Sequence, residues 1–248
     1  MNNRLEIGRG LKLTEILGVN KILEELKAQG DPDAIEGMAR VGIKTKQVFG
    51  VKIPVLKAMA KRIGQNHDLA EELWAINSRE TRILACMIED YKTVTEEQLE
   101  NWVAEFDFWE ICDQCLMSLI VKTPFAKTKA VEWARREQEY VRRAGYVLMA
   151  LLALKRMKTT NEELLAFLPV IKEGLGDDRR TVRLAISWAL RQIGKRNLTL
   201  NTAIQKEVEG YKAIKTKTAQ WVATDVLKDI TREAILKKLH AREYKKDS

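Results

Sequence analysis

The segment FWEICDQC contains two residues whose types and spacing could do chemistry. Trp109 and Asp113 lie four positions apart, so on a helix they share one face, and the other residues of that segment are largely apolar. An aspartate in such surroundings needs an ion-pair partner or a chemical task, because an unpaired buried carboxylate is costly. Arg142 or Arg143 is the obvious partner from a neighbouring repeat, and spacing alone favours this ion pair over catalysis.

Cys112 and Cys115 form a Cys-x-x-Cys pair that invites a zinc or redox interpretation. Zinc prefers about four ligands, whereas the sequence has three cysteines and two histidines in all. A redox motif lies where a strand leads into a helix, and the apolar spacing here is helical. We interpret the cysteines as helix-packing thiols and expect no metal. No nucleotide-binding glycine motif occurs, and the few histidines argue against a Ser-His or Cys-His triad, so no cofactor is expected either.

The 248-residue chain has only 13 Gly and 4 Pro, and apolar residues recur at helical spacing in segment after segment. This pattern predicts an all-α protein. The segment GIKTKQVFGVKIP, from Gly42, fits a short strand pair or an ordered loop, and we favour the loop because no partner strands follow. Ser78, Thr95 and Asn161 are predicted helix N-caps. The predicted helices span 11–28, 32–41, 54–63, 67–75, 79–91, 96–104, 109–121, 124–136, 140–155, 161–173, 179–193, 200–211, 218–229 and 233–242.

A weak internal repeat is visible in the second half of the chain. Ala144, Ala185 and Ala223 each lie near the start of an apolar helix, at spacings of 185−144 = 41 and 223−185 = 38 residues. A period of about 40 with two helices per unit is typical of HEAT-like repeats, although alanines also recur by chance in helical proteins. We expect one α-solenoid domain over residues 1–248, with a concave face.

The positive charge is concentrated in the last third of the chain. From Arg179 onward, 17 Lys and Arg stand against 7 Asp and Glu, a balance of +10 within a net charge of +8. Such a balance favours a phosphate backbone as partner, although the terminal lysines fit a solvated surface equally well. Within this region, the predicted phosphate-binding residues are Arg179, Arg180, Arg183, Lys195, Arg196, Lys215 and Lys217.

Five blocks occur in the sequence in this order: GVKIPVLKAMAK, LWAINSRETRILACMIED, DFWEICDQC, EYVRRAGYVLMALLA and AISWALRQIGKRN. They resemble the AlkD-type DNA alkylation repair family of HEAT-like-repeat DNA glycosylases. The resemblance extends from about Gly42 to Asp229. The resemblance implies excision of cationic N3- and N7-alkylated purines from duplex DNA, with the lesion left in the base stack.

The resemblance also implies roles for single residues. Asp113 would stabilise the sugar cation or position water, and Trp109 and Trp188 would offer indole faces to the cationic nucleoside. Arg143 would hold a phosphate, and Arg142 beside it is a further DNA-binding candidate. The sequence departs from the family at Tyr140, where tryptophan is common, and in 38–42, which contains no aromatic residue.

Two other classes of function compete with the glycosylase. A non-enzymatic HEAT-repeat binder of damaged or distorted duplex DNA would share the basic residues without needing Asp113. A protein-interaction scaffold would not need the C-terminal charge. No stretch approaches the roughly 18 apolar residues of a membrane span, and the N-terminal segment lacks an apolar signal core. We therefore expect a cytoplasmic monomer, nucleoid-associated when bound to DNA, with no membrane partner.

Overall fold

The computed structural model describes residues 18–40, 43 and 47–244. The start of predicted helix 11–28, the N-terminal segment, positions 41 and 42, and Lys245 and Lys246 lie outside the described residues. The chain divides into two compact units, 1–94 and 95–248; the single domain over 1–248 stays a prediction. Among the described residues, no helix is both long and apolar enough for a membrane span.

The first unit consists of short helices around an apolar core. Its helices are α1 Val19–Ala28, α2 Pro32–Arg40, α3 Ile53–Ile63, α4 His67–Ala75 and α5 Arg79–Ile88. Helix α5 packs against both α3 and α4. The loop before α3 is ordered by the Glu80 carboxylate, which accepts hydrogen bonds from the backbone N–H groups of Phe49, Gly50 and Val51 at 2.9, 3.1 and 3.2 Å. The described part of the GIKTKQVFGVKIP segment before α3 is therefore the loop that we expected.

The second unit carries the repeat. Its helices are α6 Glu96–Ala104, α7 Trp109–Ser118, α8 Ala126–Ala134, α9 Glu139–Leu152, α10 Asn161–Leu165, α11 Leu168–Glu173, α12 Arg180–Gly194, α13 Leu198–Tyr211, α14 Lys217–Ile230 and α15 Glu233–Tyr244. Helices α7, α9, α12 and α14 pack in succession, with α8 against α9, and α13 against both α12 and α14. The three repeat alanines, Ala144, Ala185 and Ala223, lie fully buried in α9, α12 and α14.

The predicted boundaries differ from the observed ones mainly where the backbone is interrupted. Helices α4 and α6 have the predicted bounds, and Ser78 and Thr95 cap α5 and α6. The predicted helix 161–173 is split into α10 and α11, with Pro169 in the first turn of α11, because proline lacks the N–H that would continue a helix. The prediction of Asn161 as an N-cap was wrong. Thr160 caps α10 instead, in a reciprocal capping box with Glu163.

Helix α9 is the central helix of the second unit, and from Ala144 to Leu152 each of its residues is buried. Its Gly145 permits close approach to α8, since a Cβ atom there would stand 2.2 Å from the backbone nitrogen of Ala134. This tight contact fixes α9, and with it the orientation of the residues in its first turns.

Candidate functional site

The N-terminal halves of three helices meet at a buried ion pair. Asp113 in α7 accepts hydrogen bonds from Arg143 in α9, Nε to Oδ1 at 3.0 Å and Nη2 to Oδ2 at 2.8 Å. Nη1 of Arg143 donates to the backbone carbonyl of Thr181, in the first turn of α12, at 2.7 Å. Arg143 therefore links α7, α9 and α12, and its planar guanidinium fixes the plane of the Asp113 carboxylate.

Both partners of this pair are almost fully removed from solvent, with 8% of Asp113 and 6% of Arg143 exposed. Burial raises the pKa of the Asp113 carboxyl, a shift that the hydrogen bonds from Arg143 oppose and the nearby Glu110 reinforces. The pair is the Asp-to-Arg alternative that the sequence favoured, and it selects Arg143 over Arg142. An arginine has more N–H groups than these three bonds use, so phosphate binding by Arg143 stays a prediction.

The adjacent Cys112 is a free, buried thiol. Its Sγ lies 3.7 Å from the backbone carbonyl oxygen of Tyr140. Burial raises the pKa of the Cys112 thiol, and the Asp113 carboxylate acts in the same direction. A thiol in this state is a poor nucleophile, so Cys112 packs α7 against the start of α9.

The two candidate tryptophans lie on α7 and α12, and both are half-buried. Trp109 is the first residue of α7, one helical turn before Asp113. Trp188 follows Thr181 by two turns of α12, on the same side of that helix. Within the described part of the chain, Trp188 makes no hydrogen bond and no cation–π contact.

Two of the predicted phosphate-binding arginines share an acidic partner, Asp177, whose side chain is 4% exposed. Asp177, in the turn before α12, accepts a hydrogen bond from Nη1 of Arg142 at 2.9 Å and another from Nε of Arg179 at 2.9 Å. Arg142 also donates to the carbonyl of Arg136, and Arg179 to that of Glu137. Asp177 was not among the residues predicted from the sequence, in which its only signal is its position two residues before Arg179.

The Asp177 cluster leads to a prediction about acid stability. The hydrogen bonds from Arg179 and Arg142 outweigh the effect of burial and lower the pKa of Asp177 to about 2. The pKa of an aspartate in an unfolded chain is about 3.9. The stability that the Asp177 carboxylate contributes is therefore present above that pH and is lost as the pH falls towards 2. We expect the wild type to melt at a higher temperature than Asp177→Asn at pH 5, and this advantage to shrink between pH 4 and pH 2. Thermal melts of both proteins across that range measure it, and a constant difference would contradict the assignment.

The remaining basic candidates fall into two groups. Three are held by the protein itself: Arg183 lies over the Trp221 ring at 4.8 Å, Lys195 pairs with Asp229 at 2.7 Å, and Arg196 donates to the carbonyls of Ala153, Met157 and Thr159. The other three are exposed and make no ion pair or hydrogen bond with the described residues through their side chains: Arg180, Lys215 and Lys217. No cluster of His, Cys, Asp and Glu suited to a metal ion occurs within residues 18–40, 43 and 47–244.

The sequence profile of a family described as "DNA alkylation repair enzyme" matches residues 22–220 of the chain. Uncharacterized protein Lin0241 of Listeria innocua serovar 6a is 29% identical over 126 residues, which are 49% of this chain and 56% of that protein. Uncharacterized protein Lmo0209 of Listeria monocytogenes serovar 1/2a is 26% identical over 126 residues, with the same coverage. The chain thus spans little more than half the length of the curated relatives it matches.

A solved structure with a similar fold covers most of the chain. It is described as "a new family of proteins related to the HEAT-like repeat DNA glycosylases with affinity for branched DNA structures". The TM-score is 0.72 at 19% identity, over 85% of this chain and 94% of that one. This likeness confirms that the all-α fold is one of HEAT-like repeats.

Proposed function

Because the chain belongs to the DNA alkylation repair enzyme family, we propose that it is a DNA glycosylase that excises cationic N3- or N7-alkylated purines from duplex DNA. The observation that carries this proposal is the Asp113 carboxylate, buried in an apolar helix yet held in one orientation by Arg143. A fixed anion is the group that this reaction needs. In this proposal the substrate of the enzyme is alkylated duplex DNA, on which the protein acts as a monomer in the cytoplasm.

The reaction does not need a general acid to protonate the leaving base. When the bond between C1′ of the deoxyribose and N9 of the purine breaks, its electron pair goes to N9 and neutralises the positive charge of the alkylated base. The sugar becomes an oxocarbenium ion, and water then adds to C1′ and releases a proton. Asp113 stabilises the sugar cation or orients that water, and it needs no reorganisation because Arg143 already holds it.

Arg143 is a positioning residue in this scheme. Each Asp113 oxygen accepts one hydrogen bond from Arg143 and keeps lone-pair capacity for a sugar or a water. Trp109 and Trp188 offer half-exposed indole faces, each worth about 0.5 to 2 kcal/mol towards a cationic nucleoside. The lesion would stay in the base stack, with the sugar and its phosphates facing these side chains.

The exposed cations Arg180, Lys215 and Lys217 supply sequence-independent contacts to phosphates in this proposal. Arg183, Lys195 and Arg196 are half-buried and would reach DNA only beside their present partners. Binding should therefore be insensitive to sequence and should weaken steeply with salt.

The experiment that tests the proposal is release of free base from duplexes that carry N7-methylguanine or N3-methyladenine. We expect the wild type to release both bases and to leave unmodified purines in place, since only a cationic base leaves without protonation. The matched control is the same duplex without the methyl group. No release of either methylated base would overturn the enzymatic proposal.

A second candidate is a non-enzymatic binder of damaged or distorted duplex DNA. The observation that favours it is the near-complete burial of the Asp113–Arg143 pair, which suits a purely structural link between helices. The description of the similar solved structure, which names affinity for branched DNA, fits the same idea. This candidate predicts tight binding of distorted DNA without base release.

A further inference from the structure

A basic cleft lies at the other end of the helices that form the candidate site. Two adjoining cavities, of about 250 and 440 Å³, open between the C-terminal ends of α9 and α12, the first turn of α13, and α15. The candidate site lies at the N-terminal ends of α9 and α12. Lys195, which directly follows α12, is 14 positions beyond Thr181, which corresponds to about 20 Å at 1.5 Å per residue. The cleft is therefore a separate site.

The charge of the cleft is strongly positive. Lys155, Arg196 and Arg242 line it together with Lys195 and Lys238. Glu243 is the one carboxylate among its lining residues in the described part of the chain. Lys155, Lys238 and Arg242 make no ion pair with any residue that the structure describes.

Two further basic residues lie close to Lys155 in the sequence. Arg156 and Lys158 follow Lys155 in an exposed turn after α9. Burial lowers the pKa of Lys122, and the positive charge of Arg156 acts in the same direction. Like charges close together at neutral pH are costly unless an anion offsets them.

Part of the cleft lining is apolar. Ala153, Leu154, Ile235 and Leu239 line the smaller cavity together with the cations, and Leu239 is only 2% exposed. A free inorganic phosphate has no apolar part to place there, whereas the deoxyribose of a nucleic-acid strand does. No described aromatic side chain lines either cavity, so the cleft offers no stacking platform for unpaired bases.

From this combination we propose that the cleft binds the sugar-phosphate backbone of duplex DNA, at a contact about 20 Å from the Asp113–Arg143 pair. Lys155, Lys238 and Arg242 bind phosphates, and the apolar lining residues contact the sugars between them. The contact reads no bases and adds affinity for any duplex. The proposal holds for a glycosylase and for a non-enzymatic binder alike.

The test removes the free cations of the cleft and leaves the rest of the protein unchanged. The variant combines Lys155→Gln, Lys238→Gln and Arg242→Gln, and spares Lys195 and Arg196 because they bind other parts of the protein. The matched control combines Lys57→Gln, Lys172→Gln and Lys206→Gln, which remove the same charge at exposed positions outside the cleft. Affinity for an unmodified 30-base-pair duplex is measured for both variants and the wild type over a series of salt concentrations.

We expect the cleft variant to bind at least tenfold more weakly than the control at low salt. Its slope of log affinity against log salt should fall by about 0.9 for each phosphate that the variant no longer binds. Equal affinities and slopes for the two variants would overturn the proposal. A second result would also overturn the proposal. If the cleft variant binds DNA as well as the control does, and inorganic phosphate raises the melting temperature of the wild type and the control but not of the cleft variant, the occupant of the cleft is free phosphate.

An assay of base release distinguishes a failure of the cleft proposal from a failure of the proposed glycosylase function. At saturating DNA the cleft variant should release methylated bases at the wild-type rate, because Asp113 is untouched. A wild type that releases no base would refute the glycosylase and leave the binding comparison as the test of the cleft.

Discussion

Replacing Asp113 by Asn lowers the rate of base release from methylated duplexes by about a hundredfold or more, if the carboxylate faces the developing sugar cation. Asparagine keeps the size and one acceptor oxygen but removes the negative charge. A hundredfold decrease corresponds to about 2.7 kcal/mol of transition-state stabilisation. DNA affinity should hold or rise, because the variant no longer places an anion close to phosphates. Single-turnover excision of N7-methylguanine and N3-methyladenine measures the effect.

The buried ion pair makes a stability control essential for this variant. Asp113→Asn leaves the Arg143 guanidinium with a neutral partner, so the melting temperature should fall as well. Excision is therefore compared at temperatures where both proteins are fully folded by circular dichroism. Full excision by the variant there, or a decrease that disappears once the folded fraction is accounted for, contradicts the catalytic role.

Replacing Arg143 by Met should destabilise the second unit by about 3 to 5 kcal/mol, because it leaves the Asp113 carboxylate buried without its counter-ion. The same change removes the link from α9 to the Thr181 carbonyl of α12. Urea denaturation of the two proteins measures the difference. Arg180→Met on the exposed side of α12 is the matched control, and it should change stability by less than about 0.5 kcal/mol.

The coupling between the two residues provides the decisive comparison. In the double variant, Asp113→Asn with Arg143→Met, no charge is stranded, so its destabilisation should be smaller than the sum of the two single effects. The free energy of unfolding of Arg143→Lys should lie between those of the wild type and Arg143→Met, since lysine keeps the positive charge but lacks the planar guanidinium group. Additive effects would mean that the ion pair carries no interaction energy.

Much of this architecture was readable from local sequence patterns. Helix periodicity and caps act within a few residues, so α4 and α6 have the predicted bounds and Thr95 caps α6 as predicted. The spacing of Ala144, Ala185 and Ala223 predicted the stacking of α9, α12 and α14, because a small residue is needed wherever successive repeats pack closely.

Local sequence patterns could not identify which arginine pairs with Asp113. A buried carboxylate requires a counter-ion, so the sequence predicted an arginine of the RR pair. Arg142 and Arg143 differ by about 100° around a helix, and nothing in the sequence says which of them faces α7. The packing of α9 decides it, since Arg143 meets Asp113 while Arg142 turns to Asp177.

The amino-acid sequence by itself determined the helices, the repeat, the excess of positive charge and the need for a partner at Asp113, because these depend on composition and on neighbours a few positions apart. Only the tertiary structure decided which cations are free. Lys195 and Arg196 are held by groups more than thirty residues away, whereas Lys155 and Arg242 share a cleft formed by distant helices. Charge is a property of each residue, but its neutralisation depends on which chain segments fold together.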